Sequence, residues 1–328
     1  MNMRYALFAF ALLGCGTTIY QVAPPPPDAP APDTSVDAAT VDAATADAAT
    51  VDAGTVDATT RDATVVSPPD AAADAVVVVD GDLPRFSFFV TSLAALQALS
   101  GSAQGFGGDL RYGETGAGAG LRGADRICTA IAERSMPGAG RKQWRAFLSA
   151  ADGGAGAPVH AIDRIGNGPW YDRLGRLFGN SRAEVIATRP PSAHPAIIND
   201  FPNEDGVPNH RPDPTMGQVD NHDMLTGSNA SGQLYSRTAT CLDWTSARGV
   251  PATEGRPRVG HSWPRGGMGG PGGMGGMGGS GAHWMSALDE AGCAPGVSLV
   301  EMGPPNPSIP TVGSGGGYGG FYCFALTP

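Results

Sequence analysis

Apolar and polar positions divide the chain into regions of different character. Tyr5 to Leu13 form one apolar run of about nine residues behind a single positive charge, Arg4. That is far short of the roughly 20 residues a spanning helix needs and suits the apolar stretch of an export signal. Val-Asp-Ala-Ala-Thr-like pentads follow, with Asp37, Asp42, Asp47, Asp52, Asp57 and Asp62 in step. A five-residue period matches neither helix nor strand, so no packed element is predicted there. From about Pro84 the pattern changes. Phe86-Ser87-Phe88-Phe89-Val90-Thr91 reads as a strand, and the Gly-rich stretch Gly101 to Gly120 reads as a loop. A helix is predicted from near Gly123, with Ile127, Ile131 and Ala124 or Ala130 at helical spacing, ending at Met136-Pro137-Gly138. Trp144 to Ser149, Thr240 to Thr245 and Phe321 to Leu326 are three further strand candidates.

The first apolar run ends at Leu12-Leu13-Gly14-Cys15, where a lipobox would sit. We therefore expect residues 1–14 to be a lipoprotein signal peptide and Cys15 to carry the lipid, anchoring the chain to a membrane. Gly16 rather than Asp at the next position favours the outer membrane, with surface exposure open. Residues 15–83 are then an extended tether rich in Asp, Ala, Thr and Pro, unable to bury enough apolar surface to offset its ordering entropy. Residues 84–328 form the globular domain, interrupted by a Gly/Met insert at 266–281 that contains Met268, Met274 and Met277.

Charge follows this division. The whole chain carries −10; residues 16–83 carry −11 and Arg4 +1, which leaves residues 84–328 formally neutral. The acidity belongs to the tether, and the domain is too little basic to suggest nucleic acid. With Cys15 lipidated, Cys128, Cys241, Cys293 and Cys323 remain, an even number for an oxidising compartment. No Cys-x-x-Cys spacing points to structural zinc, and spacing leaves three disulfide connectivities open.

The ordered runs Gly123-Ala124-Asp125-Arg126-Ile127-Cys128, Trp144-Arg145-Ala146-Phe147-Leu148-Ser149, Asp163 to Trp170, Leu225-Thr226-Gly227-Ser228, Thr240 to Ser246, Cys293 and Tyr322-Cys323-Phe324 resemble the endostatin module of collagens XV and XVIII. They are more similar still to an endostatin-like domain of bacterial surface lipoproteins. The resemblance spans roughly residues 86 to 328. It implies an α+β, C-type lectin-like fold with long loops and two nested disulfides, Cys128–Cys323 and Cys241–Cys293. Calcium-dependent sugar binding is not implied: Arg211-Pro212-Asp213 and Trp244-Thr245 depart from the lectin ligand motifs. Endostatin's zinc site uses histidines at its mature N-terminus, and the tether has none.

Site candidates are set against plainer readings. Asp200, Asp205, Asp213, Asp220 and Asp223 lie in an Asn/Asp-rich stretch that can supply hard oxygen ligands, so calcium is the candidate ion, against a solvated loop of Asx-turns. His210, His222, His261 and His283 suit zinc or copper, but no two stand at i,i+4 spacing, which favours structural roles. Trp170, in a Gly-Asn-Gly-Pro-Trp loop, is the exposed candidate for stacking a sugar, and Arg164 and Arg173, with Arg176 and Arg182, suit an anion-binding face. No Gly-x-Ser-x-Gly, His-Glu-x-x-His or phosphate loop occurs, so catalysis is not expected. The expectation is a non-catalytic carbohydrate-binding or cell-adhesion module whose partner is a polysaccharide, a matrix component or another envelope protein. The alternatives are a secreted, metal-assisted hydrolase using the Asp/His loops and a purely structural envelope lipoprotein.

Overall fold

The structure is a computed structural model that describes residues 84–209, 221–263, 283–300 and 304–328. The expected signal peptide, tether and Gly/Met insert lie outside these residues. The described residues fold as a mixed α/β unit with two sheets and two disulfides.

Strand β1 (Phe88–Val90) and the long β8 (Gly317–Ala325) pair antiparallel, Phe88 facing Phe324 and Val90 facing Tyr322. The domain's first and last strands are thus neighbours. On the other edge of β8, β2 (Trp144–Ala146) pairs antiparallel with its C-terminal half. β5 (Asp223–Leu225) runs parallel to its N-terminal half. The sheet continues through β6 (Arg258–His261) to β7 (Leu288–Asp289), in the order β1-β8-β5-β6-β7. A separate hairpin joins β3 (Trp170–Tyr171) to β4 (Leu177–Gly179).

Helix α1 (Leu93–Ser100) was not predicted, although its signals are local. Ser92 caps it by accepting from the Ala95 amide, and Gly101 closes it in the left-handed conformation. Helix α2 (Ala119–Ser135) begins four residues before the predicted start. Gly120 and Gly123 explain the difference. A Cβ at either would lie 2.1 Å from a backbone carbonyl, of Asp243 and Arg111 respectively, so these glycines let the helix press against neighbouring chain. Its buried face carries Ile127, Cys128 and Ile131. The disulfides join Cys128 to Cys323 and Cys241 to Cys293, the pairing the resemblance implies. The first bolts α2 to the last strand.

Aromatic packing fills the space under the sheet. Phe88 stacks on Phe178 at 3.6 Å, and Trp284 meets Tyr322 edge-on at 5.0 Å. Trp170 also belongs here, which corrects its reading as an exposed sugar platform. It is buried, its ring lies edge-on to Phe324 at 5.4 Å, and its indole N–H donates to the Ile165 carbonyl. The β3–β4 hairpin turns this side chain inward, as the apolar payload of an indole favours.

Thr240 to Thr245 is not a strand. Cys241, Leu242, Asp243 and Trp244 all have positive φ, between 48° and 64°, and make one left-handed helical turn. Such a conformation costs roughly 1–2 kcal/mol per residue and persists only where surroundings over-determine it. Here Cys241 is disulfide-bonded, the Asp243 carboxylate accepts from the Ala151 and Asp152 amides, and the buried Trp244 indole donates to Ser149 O at 2.8 Å. Sequence propensity read the aromatic and β-branched residues; tertiary bonds decided the backbone.

Candidate functional site

Two places on the described residues combine chemistry with built geometry. The first is a buried polar centre at the end of β5 and β6. Antiparallel register sets Asp223 opposite His261, and His222 is the residue before β5. All three side chains are essentially buried. His261 Nε2 lies 3.0 Å and His222 Nε2 3.5 Å from the same carboxylate oxygen, Asp223 Oδ1. The two imidazole rings are 4.0 Å apart and nearly perpendicular, and Trp263 packs on His222 at 5.5 Å. One ligand atom from each of the three lies within 4.8 Å of the others.

The other side of Asp223 faces Glu290, which is also buried and close enough for the two carboxyl groups to repel. Glu290 Oε2 accepts from the Gly315 amide at 2.9 Å. A Cβ on Gly315 would stand 2.7 Å from Asp223 Oδ2, so this glycine makes room for the carboxylate pair. Burial first, and then the neighbouring Asp223 charge, push the Glu290 carboxyl well above the ordinary glutamate range. Arg189 closes the centre from the β6 side, donating to the His261 and Ser262 carbonyls and lying 4.7 Å over the Phe201 ring. Its burial lowers the guanidinium to about 10.

The second place is a surface cleft lined by Tyr235, Arg237, Leu242, Pro251, Arg256 and Asp289. The left-handed turn forms one wall and holds Leu242 outward, 47 % exposed. Tyr235 is 46 % exposed, with the Arg258 guanidinium 4.3 Å over its ring. Arg237 and Arg256 are exposed beside it. Glu254 anchors the floor. Burial would raise its pKa, but bonds from Ser246 Oγ, the Arg248 and Val250 amides and the Arg248 side chain win, holding it at about 2.

No family model and no curated protein matches this chain.

Most residues singled out from sequence have other work. Arg164 is largely covered, bonded through Nη2 to both Asp125 oxygens at 2.8 Å and through Nη1 to the Ala146 carbonyl, so it is an internal strut rather than part of an anion-binding face. Arg173 reaches the C-terminal end of α2 and bonds Ser135 through both its hydroxyl and its carbonyl. Arg176 and Arg182 pair with Asp172 and Asp163. Of the five aspartates proposed for calcium, Asp213 and Asp220 lie outside the described residues, as does His210. Asp200 and Asp205 join no ligand cluster among the described residues. Of the three described, Asp223 alone is gathered, and its companions are imidazoles, donors that suit nitrogen-preferring ions. His283 is apart from the cluster; its Nδ1 accepts from the Met285 amide, and burial lowers its pKa. Sequence spacing could not pair His222 with His261, because strand register brings them together.

Proposed function

We propose that this chain is a lipid-anchored envelope protein that presents an endostatin-like, C-type lectin-like domain as a non-catalytic binding or adhesion module. The fold reading is supported by adjacent first and last strands, a helix bolted to the last strand, and a second disulfide nested inside the first. Two such bridges suit an oxidising compartment. No helix among the described residues is long and apolar enough to cross a membrane. Attachment is assigned to acylated Cys15, with the outer membrane as destination. Replacing Cys15 with Ser is expected to move the protein from the membrane fraction to the soluble fraction; persistent membrane association would defeat the lipoprotein assignment.

The surface cleft carries the binding reading. It sets an exposed Tyr235 ring and the exposed Leu242 beside the guanidinium groups of Arg237 and Arg256. Aromatic rings stack on sugar faces, and guanidinium forks bond carboxylates or sulfates in two places. A polysaccharide bearing acidic groups matches both. Strain in the turn that shapes the wall is a cost that recognition would justify. The test is a panel of acidic and neutral polysaccharides offered to the purified full chain. Retention by acidic members, weakened by salt, is expected; preference for neutral members, or no retention at all, would reject the reading.

A further inference from the structure

We infer that His222, Asp223 and His261 form a site for one divalent transition-metal ion of the zinc type. The site is separate from the cleft and independent of what the cleft binds.

Donor chemistry gives the class of ion. Two imidazoles and one carboxylate are the set that zinc and its neighbours prefer, whereas calcium and magnesium take oxygen shells. The four cysteines of the described residues are committed to disulfides and cannot be ligands.

Spacing gives the second argument. Ligands about 2.0–2.1 Å from a tetrahedral ion stand roughly 3.3–3.4 Å from one another. The two imidazole nitrogens lie 3.0 and 3.5 Å from Asp223 Oδ1, on either side of that value. The shorter distance is one that a hydrogen bond alone could also give. The longer one exceeds the usual N–H···O range of about 2.7–3.2 Å, while it fits two ligands sharing an ion.

Preorganisation gives the third. Cross-strand register places Asp223 and His261 opposite each other, so their backbone separation is set by the sheet before any ion arrives. Asp223 turns Oδ1 toward the imidazoles, while Oδ2 lies on the side of Gly315 and Glu290. Glu290, its Oε2 held by the Gly315 amide beside Asp223 Oδ2, acts as a positioning residue in the manner of the outer carboxylates that orient metal ligands. The Arg189 guanidinium, fixed to the His261 and Ser262 carbonyls, holds the same strand end from outside. Because every ligand is buried, the ion would clamp β5 to β6.

The experiment uses the full chain with its disulfides formed, stripped with chelator and then titrated with Zn2+. One ion per chain is expected by elemental analysis, with a higher melting temperature that EDTA reverses. His222→Ala and His261→Ala should each weaken Zn2+ affinity at least 100-fold, and Glu290→Gln roughly 10–100-fold. His194→Ala, at an exposed imidazole outside the cluster, should leave affinity unchanged. X-ray absorption of the Zn2+-loaded wild type should show two imidazole shells, a result that stands even if the alanine variants do not fold. Failure of the folded wild type to take up stoichiometric Zn2+ overturns the inference. So does full uptake by a folded H222A/H261A double variant, or a wild-type absorption spectrum without imidazole.

Discussion

Replacing Cys128 and Cys323 together with alanine is expected to destabilise the domain by about 5 kcal/mol, the largest single effect we anticipate. The bridge closes a chain separation of 195 residues, against 52 for Cys241–Cys293. In the chain-entropy account a longer closure removes more freedom from the unfolded state, although the dependence is only logarithmic, so the inner bridge contributes about 4 kcal/mol. Set against a total of roughly 5–15 kcal/mol for a natural domain, either loss is severe. Location sharpens the contrast. Cys128 sits on the buried face of α2, and Cys323 lies where β8 is paired with both β1 and β2. Reversible urea unfolding of the two double variants measures the difference. A loss below about 1 kcal/mol at Cys128–Cys323 would show that the strand pairings alone hold the ends together.

Asp125→Ala is expected to cost about 3–5 kcal/mol, because it strands a largely covered guanidinium. Arg164 donates to both Asp125 oxygens, and Asp125 Oδ1 also accepts from the Ala146 amide at 2.9 Å, tying α2 to β2. Desolvation is the largest influence on each partner, raising the Asp125 pKa and lowering that of Arg164 despite their attraction. The intact pair therefore adds little or no net stability, while a broken one is a large penalty. Removing both charges, with Asp125→Leu and Arg164→Met, should recover much of the loss. Urea midpoints of the single and double variants form the cycle, and strict additivity of the two single losses would contradict this reading.

What was legible in the sequence was whatever local periodicity or a local cap encodes. Ile127 and Ile131 announced the buried face of α2, and the alternation around Trp144 and Phe321–Leu326 announced β2 and β8. Cap signals at Ser92 and Gly101 were equally local, and α1 was there to be read from them. The turn at Cys241–Trp244 was not legible, because its backbone is held by a disulfide and by bonds to residues 149–152. Trp170 shows the same limit at a side chain: a Gly-Pro loop suggested exposure, while the hairpin delivered the indole to the core. The histidine cluster was beyond any search at helical spacing, since it depends on β5–β6 register. Nothing local marks Tyr235 and Arg256 as walls of one cleft, because the intervening turn folds them together.

That cleft bears the central claim, and equilibrium binding of the full chain to an immobilised acidic polysaccharide tests it most directly. Tyr235→Ala combined with Arg256→Ala removes the stacking ring and one exposed charge, both outside the buried core. Binding at least tenfold weaker than wild type, with an unchanged melting temperature, is the predicted result. Wild-type affinity in the double variant would contradict the account and move the ligand seat elsewhere on the domain.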